Sequence, residues 1–212
     1  MNGPYFIVVE GLDGSGKTTQ IDHLRHYLQA QGEACYLTAQ PSELPTGRFI
    51  RRILQQEFTV DDRTLAALYA ADRIEHIYHP QEGILSKLAQ GYHVICSRYY
   101  FSSLAYQGAF VDPEWVAGLN GLAKRTLPAD LTVFLDLTPE KSMQRINARA
   151  EPAELFESLP KLTEVRDAFR NAFVRYGGME RIVTVDASQS ERAVAEDIIA
   201  AVVALDLDAS AE

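Results

Sequence analysis

The segment that most constrains this chain is a glycine-rich stretch near its amino terminus, residues 11–18, which reads GLDGSGKT. It fits the pattern G-x-x-x-x-G-K-[ST] and lies between two segments of different periodicity. Residues 5–10 form a short apolar run typical of a buried strand, and residues 18–31 carry apolar side chains at helical spacing and end before Gly32. The sequence therefore predicts a strand, a phosphate loop and a helix in direct succession.

Each fixed position of this phosphate loop has a chemical task. Gly11, Gly14 and Gly16 let backbone N–H groups turn toward phosphate oxygens, and the start of the helix adds the positive end of its dipole. Lys17 supplies a mobile charge for the β- and γ-phosphates, and the hydroxyl of Thr18 is a ligand for Mg²⁺. The loop predicts a nucleoside triphosphate as ligand. Because the chain is too short for a separate effector domain, a small-molecule kinase is favoured.

The rest of the chain alternates short apolar runs with longer amphipathic segments. We predict further strands at 34–38, 92–96, 131–135 and 182–185, and helices at 47–56, 61–79, 81–90, 112–125, 139–149, 159–176 and 191–205. This alternation is typical of a parallel sheet covered by helices on both faces. The expectation is an α/β fold with a five-stranded parallel sheet in one domain, residues 1–212, with a frayed tail at about 207–212.

Composition excludes several classes of protein. With 20 Lys and Arg against 29 Asp and Glu, the net charge is −9, so nucleic acid and anionic membranes are not expected partners. The longest apolar run, residues 198–205, is too short to cross a bilayer. Cys35 and Cys96 both lie in apolar runs, and we expect them to be buried thiols in a reduced, cytoplasmic protein.

Six further stretches carry a family resemblance. They read FIVVEGLDGSGKTTQ, TAQPSELPTGRFIR, LYAADRIEH, SRYYFSSLAYQG, PADLTVFLDLTPEKSMQRI and VDASQSERAVAEDI, and together they cover nearly the whole chain. The combination of LYAADR and SSLAYQG behind a phosphate loop resembles the thymidylate kinases, a family of P-loop nucleoside monophosphate kinases. The resemblance implies a P-loop NTPase fold with a short lid at about 145–157, a homodimer, and transfer of the γ-phosphoryl group of ATP to dTMP.

The resemblance also implies roles around the base and sugar of dTMP. Tyr69 would stack on the base, and Arg73 would donate a hydrogen bond to the thymine carbonyl at position 4. Ser103 and Gln107 would lie near the base edge. Tyr106 would fill the space of a ribose 2′-hydroxyl group and so favour deoxyribose.

Other roles concern the phosphates. Arg98 would bind the dTMP phosphate with help from Arg48 or Arg51, and Asp13 would hold the 3′-hydroxyl group or lie near the transferred phosphate. The implied catalytic residues are Lys17, Arg98, Arg149 and Asp13. The implied ATP-binding residues are Gly11, Asp13, Gly14, Ser15, Gly16, Lys17, Thr18, Thr19, Arg145, Arg149 and Ser188.

The sequence departs from the family in three places. Ser97 stands where the family usually has Asp before the arginine, so Thr18 and Ser97 are the expected Mg²⁺-binding residues. The alternative is that a carboxylate of Glu10 or Asp13 holds the metal through water. The usual Arg-Glu-Pro is Ala-Gln-Pro at 39–41, and the lid keeps only Arg145 and Arg149 as guanidinium groups. These changes remove charged partners near the phosphates, and Arg149 becomes the expected partner of the γ-phosphate.

Alternatives stay open at this point for both residues and function. Tyr69 and Tyr106 could be core aromatics, and Arg73 could be an exposed helix charge, since no carboxylate lies three or four residues away. Arg48, Arg51 and Arg52 could be a solvated helix face. The alternative functions are another nucleoside monophosphate kinase, a nucleoside kinase, or a nucleotide-binding regulator without turnover.

Overall fold

A computed structural model describes residues 3–148, 155–178 and 180–209. Within these residues the strands are β1 (Phe6–Gly11), β2 (Cys35–Ala39), β3 (His93–Ser97), β4 (Leu131–Asp136) and β5 (Ile182–Asp186). The helices are α1 (Lys17–Ala30), α2 (Pro45–Leu54), α3 (Asp62–Tyr78), α4 (Ile84–Ala89), α5 (Tyr100–Tyr106), α6 (Pro113–Thr126), α7 (Pro139–Asn147), α8 (Leu159–Tyr176) and α9 (Glu191–Ala209). Each predicted strand is present, and its ends differ from the prediction by one residue at most.

The five strands form one parallel sheet in the order β2-β3-β1-β4-β5, which confirms the predicted fold class. The central strand is β1, and its register places Val9 beside Ser97 of β3 and Gly11 beside Leu135 of β4. The loops that follow these strands therefore open at the same edge of the sheet. In open parallel sheets this carboxyl edge is where ligands bind.

Alternate residues of β1 pack into different halves of the core. Phe6 and Val8 belong to a hydrophobic cluster with residues of helices α2 to α8, whereas Ile7 and Val9 belong to a second cluster with residues of α1 and α9. This period of two is what a strand buried on both faces requires. Helices on both faces of the sheet are therefore confirmed.

Helix α5 was not predicted from the sequence. All seven of its residues are buried, so the segment shows no alternation of apolar and polar side chains at helical spacing. Its first N–H groups are bound by the side chain of Glu10, which is distant in sequence. A helix stabilised in this way leaves no local signal at its own amino terminus.

Two details at the margins differ from expectation. Helix α9 continues to Ala209, so the fraying expected from residue 207 is not observed up to that point. Cys96 is buried, but Cys35 is only partly buried because β2 is an edge strand. Residues 149–154 of the expected lid and residues 210–212 lie outside the described residues. In the part of the chain that the structure describes, no helix has the length and apolarity to cross a bilayer.

Candidate active site

The phosphate loop is held in shape by glycine and by its own lysine. Gly14 has a φ of 76° and Gly16 a φ of 96°, a region that other residues rarely adopt. A Cβ atom at Gly14 would also lie 2.8 Å from a carbonyl oxygen of α7. The Nζ atom of Lys17 donates to the carbonyl oxygens of Gly11 at 3.0 Å and Leu12 at 2.8 Å. The loop is therefore preformed, with its lysine folded onto it.

One cavity lies beside this loop, and we call it the Arg145 cavity. Arg145 of α7 donates to the carbonyl oxygens of Gly14 at 3.3 Å and Ala187 at 3.1 Å, which ties the loop to the β5–α9 connection. The lining residues are Gly14, Ser15, Gly16, Thr19, Gln20, Arg145, Ala187, Gln189, Glu191 and Val194.

The lining of the Arg145 cavity includes some of the residues expected to bind ATP and not others: Gly14, Ser15, Gly16, Thr19 and Arg145 line it, whereas Gly11, Asp13, Lys17, Thr18 and Ser188 do not. Ser188 donates its N–H to Asp186 at 2.9 Å, and its side chain lines a neighbouring cavity. Conversely, Gln20, Gln189 and Glu191 line the cavity and were not predicted. They come from α1, from the β5–α9 connection and from the start of α9, and no motif marks them because only the packing of these segments brings them to the loop.

A second cavity, which we call the Arg98 cavity, lies at the carboxyl ends of β1 and β3. It is lined by Asp13, Gln40, Pro41, Arg51, Leu54, Gln55, Tyr69, Arg73, Arg98, Tyr99, Ser102, Tyr106, Gln107 and Phe156. It therefore brings together all of the residues that the resemblance places around dTMP, except Arg48 and Ser103. Ser103 lies behind the cavity wall, where its hydroxyl group accepts a hydrogen bond from Arg73 at 3.1 Å.

Arg98 connects the phosphate loop to helix α5. Its Nη2 atom lies 2.5 Å from a carboxylate oxygen of Asp13 and 3.0 Å from the hydroxyl oxygen of Tyr106, and its Nη1 atom donates to Ser102 at 3.2 Å. The Tyr106 hydroxyl group in turn donates to the other oxygen of Asp13 at 3.0 Å. Burial would raise the pKa of Asp13, but the charges of Arg98 and Lys17 lower that pKa to about 2. The Asp13 carboxyl group is therefore ionised at neutral pH.

Glu10, at the end of β1, holds the chain in place just after Arg98. Its buried carboxylate accepts the N–H groups of Tyr99 at 2.9 Å and Ser102 at 3.1 Å, and the Ser102 hydroxyl group at 2.5 Å. Burial raises the pKa of this carboxyl group, and these hydrogen bonds act against the rise. Arg98 itself has a φ of 68°, in the left-handed region, and the Glu10 contacts hold the chain beyond it. The Glu10 carboxylate therefore has a structural role, because its hydrogen bonds fix the backbone at the start of α5.

Arg73 is buried in the core rather than exposed on α3. Its side chain is 1% exposed, so the alternative of a solvated helix charge is wrong. The Nε atom donates to Gln40 at 2.8 Å, Nη1 to Asn120 and to Ser103 at 3.1 Å, and Nη2 to the carbonyl oxygen of Tyr99 at 3.0 Å. Sequence reasoning missed Gln40 and Asn120, which no motif connects to Arg73.

The two arginines of α2 that were candidates for phosphate binding, Arg48 and Arg51, have different surroundings. Arg51 lines the Arg98 cavity, donates to the carbonyl oxygens of Pro41 at 2.6 Å and Ser42 at 2.9 Å, and pairs with Glu43. Arg48 lies outside that cavity, and its guanidinium group donates to the Glu43 carbonyl oxygen at 2.5 Å. Only Arg51 therefore reaches the residues expected around dTMP.

Thr18 and Ser97 line a third cavity, a groove along the edge strand β2. Both contribute hydroxyl oxygens. Glu10 is engaged with α5 and Asp13 with Arg98, as described above. Among the described residues, no three His, Cys, Asp or Glu side chains lie close enough to form a metal cluster.

The segment expected to form a lid contributes one described side chain to the Arg98 cavity. Phe156 packs edge-on against Tyr106, with ring centres 5.3 Å apart, and is itself buried. No sequence pattern indicates a role for this residue, although it lies in the segment expected to form the lid. Arg149, the expected partner of the γ-phosphate, lies outside the described residues.

Known proteins are similar to this chain over most of its length. The sequence model of the family Thymidylate kinase matches residues 9–198. A probable thymidylate kinase of Pyrococcus horikoshii is 37% identical over 205 residues, which is 93% of this chain and 95% of that protein. One from Pyrococcus abyssi is 38% identical with the same coverage, and a thymidylate kinase of Bifidobacterium longum is 36% identical over 89% of this chain and 92% of its own length.

The buried bonds of Arg73 lead to a prediction about stability. Arg73→Ala should lower the free energy of unfolding by at least about 3 kcal/mol, because each buried acceptor left without a donor costs about 1–3 kcal/mol. Arg63→Ala is the matched control on the same helix, since its side chain is 74% exposed, and it should change stability by less than about 0.5 kcal/mol. Denaturant unfolding of both variants measures the difference, and equal losses would contradict the structural role of Arg73.

Proposed function

The chain belongs to the thymidylate kinase family, and from this premise we propose that it transfers the γ-phosphoryl group of ATP to dTMP, giving dTDP and ADP. The observation that carries the proposal is the Arg98 cavity, in which a partly buried guanidinium group beside the phosphate loop shares one space with Tyr69 and Arg73. ATP is assigned to the phosphate loop and the Arg145 cavity, and dTMP to the Arg98 cavity.

The acceptor's own chemistry explains why the site needs no base. A phosphate monoester has a second pKa of about 6, so the attacking oxygen of dTMP is already ionised at neutral pH. The work left to the protein is alignment and charge neutralisation. We assign these tasks to Arg98, which meets the dTMP phosphate, and to Lys17, which meets the β- and γ-phosphates of ATP.

The surroundings of Arg98 also favour a monophosphate over a nucleoside as acceptor. A nucleoside attacks through a neutral 5′-hydroxyl group, which benefits from a carboxylate base. Here β3 ends in Ser97, and Glu10 has three hydrogen bonds to α5. The Asp13 carboxylate is paired with Arg98, and its pKa of about 2 makes it a poor proton acceptor. This arrangement favours a nucleoside monophosphate as acceptor, because its attacking phosphate oxygen is already ionised.

The base and sugar of dTMP are assigned to the remaining residues of the cavity. Tyr69 offers a ring face for stacking. A guanidinium group has five N–H bonds, and Arg73 uses four of them inside the protein, which leaves one on Nη2 for the thymine carbonyl at position 4. Gln107 lies at the base edge. Tyr106 fills the 2′ position, and Asp13 accepts from the 3′-hydroxyl group.

Magnesium is part of this proposal as the ion that accompanies ATP. Thr18 and Ser97 would hold it through hydroxyl oxygens, and the donor set fits because Mg²⁺ takes oxygen ligands and keeps several of its waters. When bound, Mg²⁺ neutralises charge on the transferred phosphoryl group. Arg145 and Arg149 would supply the further positive charge over the ATP phosphates.

We extend the proposal to a homodimer. Helix α3 contacts both α2 and α6, and large apolar side chains stand exposed on these helices, among them Trp115 at 40% and Leu122 at 43%. Exposed apolar surface of this kind marks sites of association. Sedimentation of the purified chain tests this point against its monomer mass of 23.6 kDa.

A panel of acceptors tests the proposed reaction. ADP release from ATP should be fastest with dTMP among dTMP, dUMP, dCMP, dGMP and thymidine. Lys17→Ala should reduce turnover by at least ~10²-fold, because it deletes charge that faces the γ-phosphate in the transition state. ATP binding without ADP release for any acceptor would favour a nucleotide-binding regulator instead, and near-normal turnover in Lys17→Ala would remove the phosphate loop from the chemistry.

The two proposed Mg²⁺ ligands, Thr18 and Ser97, are uncharged hydroxyl groups, and this leads to a second prediction. Ser97→Asp should lower the Mg²⁺ concentration that gives half-maximal rate, because a carboxylate is a stronger Mg²⁺ ligand than a hydroxyl group. The KM for dTMP should stay within about threefold, since the change does not touch the base contacts. Ser86→Asp, on α4, is the control and should leave the Mg²⁺ dependence as it was. An unchanged Mg²⁺ dependence in Ser97→Asp would contradict the assignment of Ser97 to the metal.

A further inference from the structure

The hydroxyl group of Tyr106, in the wall of the Arg98 cavity, is held by two hydrogen bonds. It donates to Asp13 at 3.0 Å and accepts from Nη2 of Arg98 at 3.0 Å. Burial raises the pKa of Tyr106 well above its ordinary value, so the hydroxyl group stays protonated at neutral pH and serves as this donor. Both contacts act on the oxygen atom at one end of the side chain. The position of the ring therefore also depends on what packs around it.

Two phenylalanine rings pack against the ring of Tyr106 at near right angles. Phe169 of α8 is fully buried, and its ring centre lies 6.0 Å away with an angle of 89° between the rings. Phe156, from the segment between α7 and α8, lies closer, at 5.3 Å and 80°. Aromatic pairs prefer such edge-to-face arrangements. Phe156 and Phe169 thus restrict the tilt of the Tyr106 ring.

Phe156 is the one of these two phenylalanines that also lines the Arg98 cavity. Its ring is stacked on Phe110, with centres 6.2 Å apart, and the Nζ atom of Lys161 lies 5.6 Å from its centre. Lys161 also donates to the carbonyl oxygen of Leu155 at 2.7 Å, which fixes the backbone next to Phe156. Phe156 therefore has a defined position of its own, from which it contacts Tyr106 in the cavity wall.

We propose that Phe156 is a positioning residue for sugar specificity, which keeps the ring of Tyr106 where a ribose 2′-hydroxyl group would lie. This inference rests on the proposed function, which assigns dTMP to the Arg98 cavity. Exclusion by contact works only while the contacting group cannot move aside. A ribonucleotide needs the Tyr106 ring to move, whereas a deoxyribonucleotide does not. Loss of the Phe156 ring should therefore favour the ribonucleotide relative to dTMP.

The alternative is that Phe156 only covers the cavity with apolar surface. In that case its loss would weaken the binding of both kinds of nucleotide alike, and kcat/KM would fall by the same factor for each. The ratio of the two kcat/KM values separates these roles, because a general loss of binding or of stability cancels in it.

Substitutions of graded size at residue 156 provide the test. Phe156→Ala removes the ring, whereas Phe156→Leu keeps an apolar side chain that fills most of the same space. Tyr92→Ala is the control, since it removes an aromatic side chain that is 37% exposed and precedes β3, at the edge of the sheet opposite to the site. For each protein we measure kcat/KM with dTMP and with 5-methyluridine 5′-monophosphate, which differs only by its 2′-hydroxyl group. Thermal unfolding checks that each variant is folded.

We expect Phe156→Ala to narrow the ratio of kcat/KM for dTMP over the ribonucleotide at least about fivefold. Phe156→Leu should keep the ratio within about twofold of the wild-type value, because its side chain still packs against Tyr106. Tyr92→Ala should also keep the wild-type ratio.

Several results would overturn the role of Phe156. One is an unchanged ratio in a folded Phe156→Ala variant, another is an equal narrowing in the Ala and Leu variants, and a third is a wild-type protein that uses both nucleotides equally well. Should Phe156→Ala fail to fold, Phe156→Val, which also withdraws the outer part of the side chain, decides by the same criterion. Failure of the wild-type protein to phosphorylate dTMP would instead overturn the proposed function, and so the two failures are distinguishable.

Discussion

The ion pair between Arg98 and Asp13 joins the two halves of the site. Asp13 belongs to the phosphate loop after β1, and Arg98 follows β3, the strand beside it in the sheet. The guanidinium group also meets Tyr106 and Ser102 of α5, so one side chain fixes the distance between the loop and the helix that line the Arg98 cavity. Because a charge in such a partly buried place is costly without a partner, this ion pair ties the phosphate loop to α5.

Arg73 is buried and Arg98 is partly buried, and the two are held in different ways that match the ligand groups assigned to them. Arg98 has a carboxylate partner, so it stays charged and fixed before a phosphate dianion arrives. Among the described residues, Arg73 donates only to neutral acceptors, and one of its N–H bonds is left for the base assigned to this cavity. Glu10 serves neither directly, because its carboxylate is taken up by the first turn of α5. Arg98, Arg73 and Glu10 thus have separate roles in the site.

Sequence patterns predicted the features that depend on local periodicity, namely the strands and the phosphate loop. They did not predict the features that depend on tertiary packing. The strands were placed within one residue because short apolar runs mark buried strands, and the phosphate loop followed from its fixed spacing. Helix α5 was missed because it is buried on every side and is bound at its start by Glu10. The contacts of Gln40 and Asn120 with Arg73 join residues 33 and 47 positions apart, so no local pattern could indicate them. Family resemblance supplied Arg73 itself, but not the partners that hold it.

The most direct test of this account is the KM for dTMP in Arg98→Lys, measured beside the KM for ATP. Lysine keeps the positive charge, but its single nitrogen cannot reproduce the fork that meets Asp13, Tyr106 and a phosphate together. The account predicts that the KM for dTMP rises at least about tenfold while the KM for ATP stays within about threefold. A KM for dTMP equal to that of the wild-type protein would contradict the central position given to Arg98.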